Sequence, residues 1–425
     1  MNHSSRRYDH LVAAAIALGI FLPMFFQIKG GIFSDTVMVF DSRGLISRLP
    51  VPLSAAVCLI GIPLLIRRYR NAIPSLAVVL ASVILMFISS LITARGQYGD
   101  FQGKVVLLLQ FVLPMSALVL GQLYEEIDGN MFVLSKVFFT VLCVIILLEI
   151  FCSWHEGYRL RIFPPNIYLF SIYQHLQYVP VVFTAAFLLV LFGLGPHGGF
   201  KKWIVIFMPI MVFYIVVSAA VNGILLFVLG TLLYVLFYER PNLRTLVKLA
   251  GVVILIALMI CGYLYYFRGD RILDEKFSIS QTNKTGVIKI PGIQERLAYW
   301  KFYGKAATKD VPSFLMGNAR RPDRGQYISA HNYYLDFVYH FGFIPFVPLL
   351  VLIGATLYGM YQKRREVCAS PALLGITIVV LFLLFVDNMM KVGLRQPYPG
   401  IFTFFVWGIL ISKLSVLSSK QASAT

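Results

Sequence analysis

Apolar runs of about 17 to 25 residues recur along nearly the whole chain, and each could cross a hydrocarbon core of roughly 30 Å as an α-helix. Of the 425 residues, 59% are hydrophobic and 13% are charged, and the mean hydropathy is +0.79. Soluble domains are usually roughly 45 to 50% apolar. Because lipid offers the backbone no hydrogen bonds, these runs must be helices packed in a bundle. The sequence therefore predicts an all-α integral membrane protein.

The length of the apolar runs predicts about twelve transmembrane helices. The runs lie near residues 10–28, 51–66, 74–93, 104–122, 131–153, 178–195, 202–218, 222–238, 246–267, 333–361, 370–390 and 398–416. No small-residue cleavage site follows the first run before Lys29, so this run is expected to stay in the mature protein. The chain is expected to form one domain, with helices 1 to 9 in residues 1–267, an insertion in residues 268–332 and helices 10 to 12 in residues 333–425.

The insertion has the pattern of a polar loop that contains short helices. It begins with the helical charge spacing of FRGDRILDEKF, passes through the turn-rich QTNKTG and ends with the helical pattern of IQERLAYWKFYGKAA. Basic residues of the short loops predict its side of the membrane. If the N-terminus is cytoplasmic, the clusters that begin at Arg67, Lys201, Arg240 and Lys363 all fall on the cytoplasmic side. An even number of helices then brings the C-terminus to that side, and the insertion lies outside.

The formal net charge of +18 is larger than the basic residues of the predicted cytoplasmic loops account for. Other basic residues fall in the predicted outer loops, where the insertion rule disfavours them. They are Arg43, Arg48, Arg95, Arg159, Arg161, Lys391 and Arg395. No nucleic-acid recognition motif accompanies them, so nucleic acid is not expected as a partner. An anionic lipid or a lipid phosphate suits this charge better.

The junction between the insertion and the next apolar run holds His331, the strongest catalytic candidate. The helical run begins about there, and Ser329 or Asn332 could cap it, so the imidazole is expected in the first turn, at the positive end of the helix dipole. That setting favours a neutral imidazole, which can take a proton from a sugar hydroxyl as a general base. An interfacial histidine that makes an ordinary hydrogen bond would give the same pattern.

Four arginines are candidates for binding an anionic substrate: Arg159, Arg161, Arg296 and Arg324. A guanidinium group makes the bidentate, permanently charged contacts that suit a diphosphate leaving group. Two of these arginines lie in the outer segment WHEGYRLRIFPPN, where consecutive prolines forbid a continuous helix. Contact with lipid headgroups is the alternative for each arginine taken alone.

Two carboxylates, Glu149 and Asp387, lie inside apolar runs near their predicted outer ends. Acids within a membrane usually face a cavity or a partner, so a transporter or proton relay is one hypothesis. A second is that they line an outward-open cavity or pair with a basic residue, and a third is ordinary polar packing between helices. The side chains offered as partners there are Lys391, Arg395, Asn222 and Ser218.

Several motifs are missing from the sequence. There is no Asp-x-Asp pair, no phosphate-binding glycine loop and no HExxH, so neither a metal-held nucleotide sugar nor ATP has an obvious site. The five cysteines show no CxxC spacing, which argues against a zinc site or a disulfide framework. No metal and no cofactor are therefore expected. A substrate already activated by a lipid diphosphate would need neither.

The motif residues resemble one family. The segment HNYYLDFVYHFGFIPFV resembles the His-Asn-x-x-Leu signature, followed by a glycine motif, of the O-antigen ligase and O-antigen polymerase superfamily. ERLAYWKFYGKA with the later LMGNA resembles that family's Arg-x-x-x-Trp and glycine-containing segments, and RLRIFPPN resembles its outer-loop arginine followed by Pro-Asn. The resemblance covers about residues 159–345.

The resemblance implies a lipid-linked glycan transferase with a bundle related to the polyprenyl-dependent, GT-C-like glycosyltransferases. It implies that His331 acts as the base on the acceptor, that Arg296 with Arg159 or Arg161 holds the donor diphosphate, and that no metal is required. One departure concerns a middle span, where many members carry Ser-Arg-Gly. This chain has SAAVNG there, with Asn222 at the arginine position, so that arginine's role does not carry over.

From this resemblance we expect an O-antigen ligase in the bacterial inner membrane, with a periplasmic site. It would transfer polysaccharide from undecaprenyl pyrophosphate to lipid A-core, with inversion. A polymerase that joins lipid-linked repeat units is the alternative, and a transporter that uses Glu149 and Asp387 is the second. The residues expected to bind substrate are Arg159, Arg161, Arg296, Asn332, Arg324 and Asp387.

Overall fold

Helices dominate the fold. The computed structural model describes residues 3–21, 62–94, 101–125, 130–155, 178–217, 220–238, 281–282, 288–289, 293–318 and 330–422, together with the isolated helical positions 247, 251, 254, 258 and 262. The helices described before the insertion are α1 (His3–Phe21), α2 (Ile62–Ala94), α3 (Phe101–Glu125), α4 (Asn130–His155), α5 (Tyr178–Leu194), α6 (Gly198–Val217) and α7 (Val221–Tyr238).

The insertion and the C-terminal part contain shorter elements between long helices. In the insertion, strand β1 (Gln281–Thr282) pairs antiparallel with β2 (Ile288–Lys289). Next come the helices α8 (Ile293–Ala307), α9 (Val311–Met316), α10 (Tyr333–Phe341), α11 (Phe343–Gln362), α12 (Arg364–Ala369) and α13 (Pro371–Phe382). The chain continues through a π-helical turn (Leu383–Asp387), α14 (Asn388–Met390), a 3₁₀ turn (Gly393–Arg395) and α15 (Pro397–Ala422).

Seven of the described helices are long and apolar enough to cross a membrane, which indicates a multi-pass membrane protein. The corresponding segments are Ala72–Thr93, Leu107–Tyr124, Gly198–Ile215, Val221–Tyr238, Phe343–Gln362, Pro371–Met390 and Pro399–Leu417. Each overlaps a run predicted from the sequence. Three further predicted runs correspond to the shorter apolar helices His10–Phe21, Met131–Leu147 and Pro180–Leu194. Most of runs 51–66 and 246–267 lies outside the described residues, and a total of twelve spans stays a prediction.

The boundary between the second and third predicted runs was wrong. The apolar runs predict a basic loop between residues 66 and 74, whereas α2 is continuous from Ile62 to Ala94 and includes Arg67. Arginine is a good helix former, and no glycine interrupts this stretch. The proline within the helix, Pro74, does not end it. The basic residues therefore led to the prediction of a loop where the helix in fact continues.

The predicted span 333–361 was also wrong, because Gly342 divides it into α10 and α11. Gly342 has a φ of 86°, and a Cβ there would collide with the backbone carbonyl of Leu315. Gly317, at the end of α9, has a φ of 84°, and its added Cβ would lie 2.6 Å from the His340 carbonyl oxygen. Only glycine combines this conformation with so close an approach. As a result, α10 is a separate short helix packed beside α9, and the membrane-length helix begins at Phe343.

Two glycines bring α3 and α15 into close contact. A Cβ added to Gly408 of α15 would lie 3.0 Å from the Cα of Gly121 in α3, and it would also collide with the Leu118 carbonyl. Small residues let membrane helices approach backbone to backbone, where van der Waals packing rather than hydrophobic burial holds them together. The indole of Trp407 donates a 3.0 Å hydrogen bond to the Thr356 hydroxyl of α11. The helix α15 is therefore joined to both α3 and α11.

The paired strands of the insertion were not predicted. In the hairpin, Gln281 is opposite Lys289 and Thr282 is opposite Ile288. Strands of two residues are too short to show the alternation by which strands are recognised in a sequence. The helical pattern predicted for IQERLAYWKFYGKAA is confirmed by α8.

Candidate functional site

His331 lies one residue before the N-cap of α10. Asn332 is the cap, and its Oδ1 accepts hydrogen bonds from the backbone N–H groups of Tyr334, at 3.0 Å, and Leu335, at 3.1 Å. The prediction that His331 occupies the first turn was therefore wrong by about two positions. Asparagine is a stronger N-cap than histidine and takes the capping position itself. Ser329, the other predicted cap, lies outside the described residues.

The backbone of His331 is left-handed, with a φ of 47°. It is the one non-glycine residue with a positive φ among those that the structure describes. Such a conformation costs a side-chain-bearing residue on the order of 1 kcal/mol, and it persists only where the surroundings impose it. Strain of this kind clusters at functional sites. Here it turns the imidazole out of the helix and toward α8.

The imidazole of His331 stacks on the ring of Tyr299, with 5.6 Å between the ring centroids and 13° between the planes. Tyr299 belongs to α8 and is buried. Arg296 lies three residues earlier in α8, and residues at this spacing share a face of a helix. The stack therefore brings the predicted base beside the helix that carries a predicted diphosphate ligand. Tyr299 was not among the predicted site residues, although its spacing from Arg296 in the sequence is that of residues on one helix face.

A small aromatic cluster holds α8 against α10. It consists of Tyr299, Tyr303, Ala330 and Tyr339, all buried. The rings of Tyr303 and Tyr339 meet edge to face, with their centroids 4.9 Å apart. Edge-to-face pairs of this kind contribute about 0.5 to 1.5 kcal/mol beyond their buried area. This packing of α8 against α10 supports the position of His331 beside α8.

Asp387 lies at the end of the π-helical turn and has two partners. Its Oδ1 accepts a 2.8 Å hydrogen bond from Nδ2 of Asn222, in the first turn of α7, and lies 3.1 Å from Nζ of Lys391. The side chains of Lys391 and Asp387 are only 7% and 5% exposed. Two of the pairings weighed from the sequence, with Lys391 and with Asn222, are therefore confirmed. Ser218 lies outside the described residues.

The π-helical turn is tied to α10. Tyr334 of α10 donates a 2.7 Å hydrogen bond from its hydroxyl to the Leu384 carbonyl. Asn388 donates from Nδ2 to the Leu383 carbonyl, also at 2.7 Å, and accepts from the Leu394 N–H. A π-helical turn loosens the regular bonding of backbone carbonyls, and such turns are frequent at functional sites. Here the side chains of Tyr334 and Asn388 donate hydrogen bonds to two of these carbonyls, which anchors the turn that ends at Asp387.

Lys391 joins this arrangement to Arg296. Burial lowers the pKa of Lys391, the carboxylate of Asp387 raises it, and the positive charge of Arg296 lowers it again, so that the net direction is below the ordinary value. Like charges disfavour each other's ionised form when they are close and poorly hydrated. Arg296 is therefore near enough to act on Lys391. His331 stacks on Tyr299, which shares a helix face with Arg296. The charge of Arg296 acts on Lys391, which is paired with Asp387.

A second buried ion pair lies beside the site. Nη1 of Arg395 donates a 2.6 Å hydrogen bond to Oδ2 of Asp336 in α10, and Nε2 of His340 lies 3.6 Å from Oδ1. Burial alone would raise the pKa of Asp336, but Arg395 and His340 lower it to about 2. Arg395 had been weighed as a partner of Asp387, and the structure pairs it with Asp336 instead. The sequence signal for this pair was an acid in an apolar helix with a histidine four residues later.

The structure connects four of the predicted site residues and leaves others undecided. His331 lies beside the helix that carries Arg296, and the charge of Arg296 acts on the partner of Asp387, Lys391. Asn332 follows His331 directly and caps α10. The capping oxygen of Asn332 is already used by two backbone donors. Glu149 belongs to α4, but its side chain is outside what the structure describes. The predicted site residues outside the described residues are Arg159, Arg161 and Arg324.

Chemically, the arrangement places an imidazole beside the helix that carries Arg296, and the charge of Arg296 acts on the buried Lys391. Within the described parts of the chain, no group of three or more His, Cys, Asp or Glu side chains could hold a metal ion. No model of a known protein family and no curated protein matches the sequence. The resemblance to the O-antigen ligase and polymerase superfamily therefore rests on the motif residues alone.

Proposed function

We propose that this chain is an O-antigen ligase that transfers polysaccharide from undecaprenyl pyrophosphate to lipid A-core. The observation that carries the proposal is the stack of His331 on Tyr299, in the helix that also bears Arg296. A base for the acceptor hydroxyl and a cation for the departing diphosphate must lie close together in such a transferase. Family resemblance supplies the substrate class, and the contacts of the site support the assignment of roles.

In the proposed reaction, His331 takes the proton of an acceptor sugar hydroxyl. The hydroxyl oxygen attacks the anomeric carbon of the donor, and the bond from that carbon to the diphosphate oxygen breaks. The electron pair leaves with the diphosphate, whose negative charge is stabilised by Arg296 together with Arg159 or Arg161. A single displacement from the opposite face inverts the anomeric configuration.

The proposal includes a bundle of about twelve spans of the GT-C-like kind, in the bacterial inner membrane, with cytoplasmic termini and a periplasmic site. Two features support a site at one end of the bundle. Asp387 lies near the C-terminal end of the span Pro371–Met390, whereas Asn222 lies at the start of the span Val221–Tyr238. Their hydrogen bond therefore joins two helix ends that face the same side.

Deletion of the gene for this chain tests the function. We expect lipid A-core without polysaccharide, together with accumulated long polymer on the lipid carrier. Core that bears a single repeat unit would contradict the ligase and favour the polymerase, whose acceptor is another lipid-linked unit. Restoration by the wild-type chain, but not by His331→Ala produced at the same level, would link the phenotype to the proposed base.

The transporter hypothesis stays a prediction with a separate test. It requires a carboxylate such as Asp387 to bind a solute or a proton, and in the structure this carboxylate is paired with Lys391 and Asn222. Solute flux in proteoliposomes that Asp387→Asn abolishes would support transport. Glycan transfer in the same preparation without such flux would support the ligase.

A further inference from the structure

Lys391 is a buried lysine in a fixed position. It follows α14 directly, at the end of the span Pro371–Met390, and only 7% of its side chain is exposed. Lysine side chains near a membrane surface usually extend so that the ammonium group reaches water. Lys391 instead keeps its ammonium 3.1 Å from Oδ1 of Asp387, and Asn222 donates a hydrogen bond to the same oxygen. Burial of a charge in this way requires a defined set of partners.

Asp387 already has Lys391 as its cationic partner, so helix packing does not require a second cation near this pair. Arg296 of α8 nevertheless lies close enough for its charge to act on Lys391. Lys391 is buried and Arg296 is half-buried. Two cations that approach each other in a poorly hydrated region repel, and an anion placed between them would relieve that repulsion. The same helix places Tyr299 against His331, so the imidazole lies beside the helix that carries Arg296.

We propose that Lys391 is a further anion-binding residue of this site, and that its ammonium group binds the diphosphate of the lipid-linked donor together with Arg296. This inference rests on the proposed function, which supplies a diphosphate as the substrate group. The two cations differ in what they offer. A guanidinium binds two oxygens in a plane, whereas an ammonium acts as a compact point charge that can contact the neighbouring phosphate. Asp387 and Asn222 position the ammonium rather than contact the donor.

The binding of inorganic pyrophosphate tests the inference. The full chain is purified in neutral detergent, and the Kd is measured by calorimetry at fixed ionic strength for the wild type and three variants. We expect Lys391→Gln to raise the Kd about tenfold and Lys391→Arg to stay within about threefold. Lys301→Gln is the matched control, because Lys301 is exposed on the same helix as Arg296. An unchanged Kd in Lys391→Gln would overturn the inference.

A double variant separates anion binding from a purely structural role. Lys391→Gln leaves the buried carboxylate of Asp387 without its cation, which can disturb folding. The double variant Asp387→Asn with Lys391→Gln removes both charges and avoids this problem. If Lys391 binds the anion itself, the double variant stays as weak as Lys391→Gln. If it regains the wild-type Kd, Lys391 only neutralises Asp387, and the inference is wrong.

Two further measurements keep this inference distinct from the proposed function and from lipid binding. Glycan transfer is assayed on the same preparations with a lipid-linked donor. Pyrophosphate binding that depends on Lys391 in a protein without transfer activity would support the anion site and contradict the ligase. Glycan transfer by a protein whose pyrophosphate Kd does not change in Lys391→Gln would support the ligase and overturn the anion site at Lys391. Binding of phosphatidylglycerol in nanodiscs that depends on Lys391, without any effect on pyrophosphate, would assign the residue to a headgroup and overturn the inference.

Discussion

The imidazole of His331 lies parallel to the ring of Tyr299, and 5.6 Å separates their centroids. The backbone that carries the imidazole is left-handed, which is a costly conformation for histidine. Stacking on a buried ring gives this strained residue one orientation. The contact therefore links the packing of α8 and α10 to the placement of the proposed base.

Loss of the Tyr299 ring should reduce turnover more than substrate affinity. We expect Tyr299→Ala to lower kcat about tenfold with KM within about twofold, because the imidazole loses its orientation while the donor ligands remain. Tyr299→Phe keeps the stacked ring and should stay within about twofold of the wild type in both parameters. Steady-state kinetics of glycan transfer measure the effect. An equal loss in Tyr299→Phe and Tyr299→Ala would point to the hydroxyl instead of the stack.

Asn222 and Asp387 should be energetically coupled. Asn222→Ala removes a 2.8 Å hydrogen bond to a buried carboxylate, which we expect to lower the free energy of unfolding by on the order of 1 kcal/mol. A double-mutant cycle with Asp387→Ala should show a coupling of similar size. Asn222 with Asp336 is the matched control, because these two share no hydrogen bond or ion pair in the described structure. A coupling free energy between Asn222 and Asp336 as large as that between Asn222 and Asp387 would refute a direct contact in the second pair.

The Asp336 ion pair should make stability depend on acid pH. Arg395 and His340 outweigh burial and lower the pKa of Asp336 to about 2, from the ordinary 3.8. A lowered carboxyl pKa stabilises the fold fully above about pH 4, and this contribution is lost as the pH falls through 2. The wild type should therefore lose about 2 kcal/mol between pH 4 and pH 2 through this group.

Denaturant titrations in detergent at several pH values measure this loss. At neutral pH we expect Asp336→Asn to cost about 3 to 5 kcal/mol, because it leaves Arg395 without its charge partner. The difference in the free energy of unfolding between Asp336→Asn and the wild type should become about 2 kcal/mol smaller at pH 2 than at neutral pH. The control is Asp310→Asn, at the exposed cap of α9. Its free energy of unfolding relative to the wild type should vary less with pH than that of Asp336→Asn. A constant difference between Asp336→Asn and the wild type at every pH would contradict the assignment.

The contact between α3 and α15 should not tolerate a side chain. We expect Gly408→Ala to lower the free energy of unfolding by about 1 to 3 kcal/mol, because the new Cβ meets backbone atoms of α3 that cannot move aside. Gly354→Ala in α11 is the control, since a Cβ there meets nothing within 4 Å. That change should be neutral or slightly stabilising. The same thermal shift in both variants would argue against a close helix contact at Gly408.

Local patterns in the sequence predicted the features that depend on local chemistry. Asn332 reads as a helix cap because its short side chain can reach the first free backbone donors. Asp387 and Lys391 lie four residues apart, a spacing that brings side chains together on a helical backbone. Six of the seven described spans match their apolar runs closely, and the seventh, Phe343–Gln362, is shorter than its run. In each case the deciding interaction lies within a few residues of the signal.

Features that depend on tertiary packing were missed or left open. Two acids, Asp336 and Asp387, were possible partners for Arg395, and the packing of α10 decides for Asp336. Gly342 lies within an apolar run, so its role in ending α10 depends on a contact with Leu315 that the run does not show. Tyr299 lies 32 positions before His331 in the sequence, and no local pattern pairs the two rings.

Glycan transfer by the reconstituted chain tests the central claim most directly. The purified protein is placed in liposomes with an undecaprenyl-pyrophosphate-linked polysaccharide and lipid A-core, and the rate of product formation is measured for the wild type, His331→Ala and the control Lys301→Gln. The account predicts transfer by the wild type and the control, and a loss of at least about 100-fold in His331→Ala. Transfer by His331→Ala within about twofold of the wild type would contradict the role of His331 as the base.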